Sequence, residues 1–321
     1  MKICIIGASS YVGGWLTENL KNSGHDLVVV YRNEPLCDNN WKEGTFKTIK
    51  GDVTDSKVLD SIVEIEPEIV IYLISLNHIQ SENNFFDTLN INVSPLGYLS
   101  KALSKSKFFK KFIYFSTLQV LGKIDNGSLV DEYTIPCPIN NYGLTHFFCE
   151  EVLAMQKRIS GFNYTVIRLA NSYGPAKFGS CDIFWLVIND FCISALTDNH
   201  IKLKSDGSPL RDFVYISDVA KSVNYIIDKY HDSPNIVNIC SGETYSILEL
   251  AHIVKKVFKK LEYDVKILLP DGNESENANN HSQIKKYKIK SWLIEMDKKP
   301  EITLELGIEM TIKNLLKNFK F

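Results

Sequence analysis

The chain has 321 residues, of which 45% are hydrophobic and 23% are charged, and its formal net charge is −2. This balance is typical of a globular protein with one large or two moderate domains, and it argues against nucleic-acid binding because no basic excess can release counterions from phosphates. No apolar run is long enough for a membrane span or a signal-peptide core, so we expect a cytoplasmic protein without a membrane partner. The seven cysteines are scattered without a Cys-x-x-Cys pair, which predicts neither a disulfide frame nor a metal site.

The beginning of the chain predicts a strand, a glycine turn, a helix and a second strand. Residues 3–6 are an apolar run typical of a buried strand, and the run ends at Gly7. Apolar residues fall four apart over 12–20, which indicates a helix, and residues 27–31 are again an apolar run. Such a βαβ unit has parallel strands and a right-handed crossover.

The turn of this unit predicts a dinucleotide phosphate site. Glycines stand at the tight turn and at the close contact of helix and strand, and amides at the helix start would face a pyrophosphate. The middle glycine of the pattern is replaced by Ser10. The residues that we expect to contact the cofactor here are Gly7, Ser9, Ser10, Tyr11, Val12 and Gly13.

Arg32 occupies the position that reads the adenosine ribose, about twenty residues beyond the glycines. An acidic residue there would bind a free 2′-hydroxyl, whereas an arginine can pair with a 2′-phosphate. Arg32 therefore favours NADP(H), with NAD(H) as the alternative. An ordinary surface arginine would give no preference.

Strands and helices continue to alternate as far as Gly174, and the alternation then loosens. Strands are predicted at 69–74, 112–115 and 166–169, and the later helices at 183–195, 218–230 and 246–259. We predict an α/β fold, a doubly wound parallel (Rossmann) sheet with a smaller C-terminal α/β lobe that binds substrate. The dinucleotide-binding domain would comprise residues 1–170 and about 212–240, and the substrate lobe about 171–211 and 241–321.

Tyr142 and His146 lie four residues apart at the start of a helix predicted over 144–158, so their side chains share one face. A tyrosine normally keeps its proton to about pH 10, and one that exchanges protons near neutrality needs a nearby group that favours the phenolate. A cation one turn away is such a group. The alternative is a half-buried helix face without a chemical role.

Six segments, in order along the chain, resemble motifs of the extended short-chain dehydrogenase/reductase family, the NAD(P)-dependent nucleotide-sugar epimerases, dehydratases and reductases. They are the glycine loop at 7–13, Gly-Asp-hydrophobic-x-Asp at 51–55, the active-site strand at 115–122, Arg-x-x-Asn-x-Tyr-Gly-Pro at 168–175, the Arg-Asp-Phe segment at 211–220 and Asn-hydrophobic-x-Ser-Gly at 238–243. One glycine loop is weak evidence, whereas six segments in family order are strong evidence.

The resemblance implies roles for the matching residues. Tyr142 would be the acid/base that exchanges a proton with a sugar oxygen, and Thr117 would hydrogen-bond the same oxygen. The catalytic set would be Tyr142, Thr117, His146 and Ser116. Further cofactor contacts would come from Arg32, Asp52, Val53, Leu73, Ser75, Tyr142 and His146. A nucleotide diphosphate sugar would be bound by Thr117, His78, Asn171 and Arg211, the arginine because a guanidinium suits phosphate oxygens.

Two departures from the family pattern narrow the function. The family has lysine where His146 stands, and a histidine can favour the phenolate only when it is protonated. Leu118 and Gln119 replace the Asp-Glu pair of the sugar 4,6-dehydratases, and neither side chain can exchange a proton, so we expect no dehydratase activity.

The function that the sequence favours is an NADPH-dependent ketoreductase acting on a nucleotide-linked keto-sugar, at C4 of a 4-keto-6-deoxyhexose, in deoxysugar or surface polysaccharide biosynthesis. NADPH suits a reductase, which exchanges its cofactor in each turnover. The alternatives are a C4 epimerase that retains NAD and a family member that binds dinucleotide without turnover. The resemblance also implies a homodimer formed through helices at 92–103 and 144–158.

Overall fold

The structure is a computed structural model that describes residues 1–21, 23–35, 46–275 and 284–318. Its largest element is a seven-stranded parallel sheet with the strand order β11-β7-β5-β4-β1-β2-β3. Its strands are β1 (Lys2–Ile6), β2 (Asp26–Tyr31), β3 (Phe46–Lys50), β4 (Ile69–Tyr72), β5 (Lys111–Thr117), β7 (Tyr164–Leu169) and β11 (Ile236–Ile239).

Helices cover both faces of this sheet, because alternate residues of each buried strand point to opposite sides. Ile3 and Ile5 pack into a core with the helices at residues 11–21 and 216–228, whereas Cys4 and Ile6 pack into a second core with the helices at 56–64, 94–103 and 141–160. These helices are α1 (Tyr11–Lys21), α2 (Ser56–Glu64), α3 (His78–Asn83), α4 (Phe85–Asn92), α5 (Ser94–Leu103), α6 (Asn141–Ser160) and α8 (Ile216–Asp228). A 3₁₀ helix, Leu118–Leu121, follows β5.

A smaller unit has its own apolar core, built on the short sheets β12-β10-β8 and β13-β9. Its strands are β8 (Asn171–Tyr173), β9 (His200–Lys202), β10 (Leu210–Tyr215), β12 (Thr244–Ser246) and β13 (Lys266–Leu268), and its helices are α7 (Val187–Asp198), α9 (Ile247–Lys260) and α11 (Leu304–Asn318). The short sheet of β6 (Leu129–Val130) and β14 (Lys288–Ile289) and the helix α10 (Trp292–Glu295) pack instead into a core of the large sheet. The predicted fold class, a doubly wound parallel sheet with a smaller α/β lobe, is therefore confirmed.

Three element boundaries differ from the predicted ones. Helix α6 begins at Asn141, before the predicted residue 144, because the side chain of Asn140 accepts a hydrogen bond from the amide of Gly143 at 2.7 Å. Tyr142 and His146 therefore both lie on the helix. Helix α7 begins at Val187 and not at 183, and β4 ends at Tyr72. Among the helices of the described ranges, none is long and apolar enough to cross a membrane.

Candidate active site

The predicted phosphate loop connects β1 to α1 and depends on two glycines. Gly7 has a φ of +91°, which residues with a side chain rarely adopt, and its amide donates to the carbonyl of Val30 at 2.9 Å. A Cβ on Gly13 would lie 2.3 Å from the carbonyl oxygen of Gly7 and 2.8 Å from Cα of Ala8. No side chain fits at Gly13, so α1 begins directly against the end of β1.

Ser10 stands at the position of the middle glycine and caps α1. Its hydroxyl oxygen accepts a hydrogen bond from the amide of Gly13 at 3.1 Å, which satisfies one of the amides left free at a helix start. Ser9 and Ser10 are half-buried at the rim of the loop. The close backbone approach and the positive end of the helix dipole make this loop a fitting cradle for the pyrophosphate of a dinucleotide.

Residues 174–181 follow β8 and lie against the phosphate loop and α1, and we call this segment the strap. The hydroxyl of Tyr11 donates to the carbonyl of Gly174 at 3.2 Å. The indole N–H of Trp15 donates to the carbonyl of Pro175 at 2.8 Å. Tyr11 therefore holds the strap next to the predicted cofactor site, and Trp15 extends the contact along α1.

An ion pair, a cation–π contact and a thiol add to these bonds. Lys177 pairs with Glu18 at 2.7 Å, and its ammonium lies 3.9 Å from the centroid of the Trp15 ring, well within cation–π range. The thiol of Cys181 donates to the carbonyl of Ser9 at 3.4 Å. The strap thus connects the end of β8 to both the phosphate loop and the first helix.

Arg32 and Asp52 lie together on the surface at the carboxyl ends of β2 and β3. Nη1 of Arg32 is 3.4 Å from Oδ2 of Asp52, and both side chains are exposed. Hydrogen bonds from Thr54, together with Arg32, hold the pKa of Asp52 below its usual range. The side chain of Val53 is buried in the core. Val53 can therefore meet a cofactor only through its backbone.

Thr117 and Tyr142 meet at the carboxyl end of β5. The hydroxyl oxygen of Thr117 accepts a hydrogen bond from the amide of Gln119 at 3.2 Å and lies beside the phenol of Tyr142. Burial raises the pKa of Tyr142 to about 12, and the neighbouring hydroxyl of Thr117 opposes that rise. Thr117 ends its strand and Tyr142 opens its helix, so two rigid elements hold this hydroxyl pair. The pair can give a proton to, or take one from, an oxygen placed between the two groups.

His146 is buried beside Tyr142 and differs from the cation that the spacing suggested. Nδ1 lies 2.6 Å from the hydroxyl oxygen of Tyr114, and Nε2 lies 3.0 Å from that of Ser75. The ring is 3% exposed, and burial lowers the pKa of His146 to about 3. Desolvation disfavours the imidazolium, and both partners are uncharged hydroxyls. The imidazole is therefore neutral at neutral pH.

Ser116 is adjacent to Thr117 but faces a buried ion pair. Its hydroxyl donates to Oε1 of Glu150 at 2.6 Å. The other carboxylate oxygen pairs with the guanidinium of Arg168 at 2.8 Å, and both charged side chains are almost completely buried. A buried carboxylate needs such partners. The structure therefore places Ser116 in an ion-pair network, in contrast to its neighbour Thr117, which lies beside Tyr142.

Asn171 and Arg211 lie on adjacent parallel strands, β8 and β10, with Asn171 opposite Phe213. The amide of Asn171 donates to the carbonyl of Asp212 at 3.0 Å. The exposed guanidinium of Arg211 donates to the carbonyl of Leu210 at 2.8 Å. Both predicted phosphate ligands are thus on the surface of the smaller unit, one strand apart.

Leu73 and His78, two further predicted site residues, follow β4. A Cβ on Gly7 would lie 3.2 Å from Cβ of Leu73, so Leu73 lines the phosphate turn. His78 is the first residue of α3 and is exposed. The structure therefore brings Leu73, together with Ser75 and His146, close to the predicted cofactor site, and it leaves His78 at the surface.

The sequence reasoning missed Tyr114 and Glu150, which contact two of the predicted residues. Glu150 follows His146 by one further helical turn, and Tyr114 precedes Ser116 by two residues on β5. Residues four apart share a helix face, so Glu150 lies on the face of α6 that carries Tyr142 and His146. Residues two apart share a strand face, so Tyr114 lies on the face of β5 that carries Ser116.

Comparisons with known proteins agree with this geometry. The model of the NAD dependent epimerase/dehydratase family matches residues 3–240. A protein of Methanocaldococcus jannaschii named "Putative UDP-glucose 4-epimerase" is 26% identical over 319 residues, 98% of each chain. The structure of Thermotoga maritima UDP-glucose 4-epimerase with UDP-glucose has a TM-score of 0.81 at 22% identity, with 100% of both chains covered.

A second solved structure is similar to the same extent. It is the UDP-glucuronic acid 4-epimerase from Bacillus cereus in complex with NAD, with a TM-score of 0.79 at 20% identity and 100% of both chains covered. At these identities the solved structures establish the fold, while the family model matches the sequence over a range that includes the phosphate loop, Thr117 and Tyr142. The chain therefore belongs to the NAD dependent epimerase/dehydratase family.

Proposed function

We propose that this protein is an NAD-dependent epimerase that inverts C4 of a nucleotide-linked sugar. The observation that carries the proposal is that the hydroxyls of Thr117 and Tyr142 lie side by side at the carboxyl end of β5, where ligands of doubly wound sheets bind. The epimerases named above support C4 as the reacting carbon. We propose that the large sheet binds the dinucleotide and that the smaller unit binds the nucleotide-sugar, as predicted from the sequence.

Thr117 and Tyr142 would manage the proton of the sugar oxygen. The loop at Gly7 and Gly13 would hold the dinucleotide, whose nicotinamide supplies reversible hydride transfer at the sugar carbon. Because its pKa is about 12, Tyr142 holds its proton at neutral pH in the free protein. In the oxidising half of the cycle the phenolate of Tyr142 would take the proton from the sugar hydroxyl, an ionisation that the hydroxyl of Thr117 favours, and the phenol so formed would return that proton to the keto oxygen in the reducing half.

Arg211 and Asn171 would bind the diphosphate of the nucleotide-sugar. A guanidinium offers several N–H groups that match phosphate oxygens. Arg211 is exposed, and its bond to the carbonyl of Leu210 fixes one end of its side chain. Asn171, held by its bond to Asp212, lies one strand away. The phosphate oxygens of the substrate would then lie against both side chains.

Dehydratase activity is not part of the proposal. Leu118 and Gln119 open the 3₁₀ helix after Thr117, at the positions where an elimination would need an acid and a base. The side chain of Leu118 packs against the core, and Gln119 accepts a hydrogen bond from Asn140 at 3.4 Å. Neither can transfer a proton to a sugar.

An NADPH-dependent ketoreductase of a nucleotide-linked 4-keto-6-deoxyhexose is the second candidate, and Arg32 is the residue that favours it. Arg32 is exposed and could reach a 2′-phosphate. It is, however, paired with Asp52 at 3.4 Å, and that carboxylate would repel a phosphate placed beside it. The NAD found in the solved neighbour supports the order in which we place the two candidates.

A homodimer formed through α5 and α6 is a further proposal. Three large apolar side chains of these adjacent helices are exposed, namely Tyr98, Met155 and Ile159, the last with 71% of its surface. Apolar groups grouped on two neighbouring helices favour burial against a partner. Light scattering after gel filtration tests the dimer, and we expect Ile159→Glu to give a monomer.

The proposed reaction is tested with purified protein and UDP-glucose. We expect bound NAD to be released on denaturation, and nuclear magnetic resonance to detect the C4 epimer of the added sugar. Tyr142→Phe should lower kcat by about 10²–10⁴-fold, while Tyr263→Phe, which removes a hydroxyl from a ring packed on Phe258, should not. Oxidation of NADPH by a 4-keto-sugar without any epimerisation would replace the first candidate with the second.

A further inference from the structure

We infer that Tyr114 is a positioning residue that fixes His146 as the neutral tautomer protonated on Nε2. The inference rests on the hydrogen bonds around the ring, and it rests on the proposed function only for its effect on turnover. Tyr114 lies on β5, Ser75 follows β4, and His146 lies on α6, so three elements meet at one imidazole.

The hydrogen bonds of Ser75 indicate that Nε2 of His146 carries the proton. The hydroxyl of Ser75 donates to the carbonyl of Leu76 at 2.7 Å. A hydroxyl has only one proton, so the same oxygen can only accept from the ring of His146, whose Nε2 lies 3.0 Å away. The proton of the bond between Ser75 and His146 is therefore on Nε2.

The role of Nδ1, the other ring nitrogen of His146, then follows from its contact with Tyr114. A neutral imidazole carries one proton, so Nδ1 of His146 is an acceptor. The hydroxyl of Tyr114, 2.6 Å from Nδ1, must donate. Tyr114 is 1% exposed, and burial raises its pKa well above the usual range, so it keeps the proton that it donates. The bonds run in one direction, from Tyr114 through the imidazole and Ser75 to the carbonyl of Leu76.

The groups around His146 favour the neutral ring. On α6 they are Tyr142, Cys149 and Glu150, and the charge of Glu150 is compensated by Arg168 at 2.8 Å. The thiol of Cys149 donates to the carbonyl of Asn92 at 3.3 Å. None of these groups offers an unpaired negative charge to an imidazolium. The donor on Nδ1 and the acceptor on Nε2 therefore select one neutral tautomer.

This tautomer matters because the ring of His146 also positions Tyr142. Their centroids are 4.6 Å apart, and the rings meet edge to face at 68°. A ring whose two nitrogens are held by Tyr114 and Ser75 cannot turn over without breaking both bonds. Tyr114 thus acts on Tyr142 through His146 and touches neither substrate nor cofactor.

The test is long-range ¹H–¹⁵N correlation spectroscopy of the full-length protein labelled at histidine. The chain has seven histidines, and the pair of signals lost in His146→Gln identifies the ring of interest. We expect the Nε2–H pattern at neutral pH in the wild type. In Tyr114→Phe, the ratio of the Nε2–H to the Nδ1–H form should fall on the order of fivefold, the effect of one lost hydrogen bond.

Tyr72→Phe is the matched control. Tyr72 is fully buried on the next strand with its ring 6.2 Å from that of Tyr114, and its hydroxyl has no hydrogen-bond partner within the described part of the chain. Its loss should leave the His146 signals unchanged. Ser75→Ala is a second test of the tautomer. Because Tyr114 still donates to Nδ1 in this variant, the Nε2–H form should persist.

An Nδ1–H pattern or a charged ring in the wild type at neutral pH would overturn the inference. An unchanged tautomer ratio in Tyr114→Phe would also overturn it. If Tyr114→Phe does not fold, Ser75→Ala replaces it, and loss of the Nε2–H form in that variant would overturn the inference. The spectra require neither sugar nor dinucleotide. A wild type that shows the Nε2–H pattern but no epimerisation would therefore refute the proposed function and leave the tautomer assignment intact.

Discussion

The phenol of Tyr142 meets the imidazole of His146 edge to face, with ring centroids 4.6 Å apart. Both rings are neutral at neutral pH, since burial raises the pKa of the first to about 12 and lowers that of the second to about 3. Contact between two neutral rings is a packing interaction. The group that favours the phenolate of Tyr142 in this protein is therefore the hydroxyl of Thr117, and not a cation on the same helix.

We expect His146→Lys to raise turnover near neutral pH. An ammonium one turn from Tyr142 favours the phenolate and lowers its pKa. The lower limb of the pH–rate profile should move to lower pH by about one unit, because a charge within a few ångströms shifts a pKa by about that much or more. The profile is measured for wild type, His146→Lys and His146→Gln. Complete loss of turnover in a folded lysine variant would show that the imidazole has a role of its own.

His146 should also make stability depend on pH. Its pKa is about 3 in the folded protein and about 6.5 in the unfolded chain. As the pH falls below 6.5 the unfolded chain takes up a proton that the folded protein does not, so the free energy of unfolding decreases. Between about pH 7.5 and pH 5 this one group should remove about 2 kcal/mol. Urea unfolding of wild type and His146→Gln at both pH values isolates the contribution, and equal pH slopes would contradict it.

Ser116→Ala should lower stability more than turnover. The hydroxyl of Ser116 donates to the buried carboxylate of Glu150 at 2.6 Å, and loss of such a bond costs about 1.5–3 kcal/mol. Thr117→Val is the paired variant, because it removes the adjacent hydroxyl that lies beside Tyr142 and favours its phenolate. We expect Thr117→Val to lower kcat and Ser116→Ala to lower the urea midpoint. A stable Ser116→Ala protein without activity would restore the catalytic role that the family pattern implies.

The sheet could be predicted from the sequence because its signal is local. Buried parallel strands are continuous apolar runs, as at residues 3–6 and 27–31, and a glycine turn between strand and helix has a recognisable spacing. Thr117 and Tyr142 could be singled out in the same way, since each lies within a short segment that resembles a motif of the family. Local patterns therefore sufficed for the fold and for the hydroxyl pair.

The charge state of the site could not be predicted because it depends on contacts between distant segments. His146 is neutral because it is buried against Tyr114 and Ser75, from two other elements of the fold. Arg32 is paired with Asp52 only because β2 and β3 are adjacent strands. Spacing within one segment indicates which residues share a helix face, but it does not indicate which partners the tertiary structure supplies.

The strap should slow the release of the dinucleotide. It lies against the phosphate loop and α1 through Tyr11, Trp15, Lys177 and Cys181. An epimerase benefits from retaining its cofactor, because the same nicotinamide must return the hydride that it accepts. The rate of dinucleotide release therefore tests the proposed function. Substitutions in the strap should change this rate without altering Thr117 or Tyr142.

We expect Lys177→Met to speed NADH release on the order of fivefold. The variant removes the ion pair with Glu18 at 2.7 Å and the contact of the ammonium with the Trp15 ring, together worth about 1 kcal/mol at a partly exposed site. Lys313→Met, which breaks a comparable pair with Glu309 on α11, is the control. Release is followed by the fluorescence of bound NADH during displacement by excess NAD. Equal rates in both variants and the wild type would mean that the strap does not retain the cofactor.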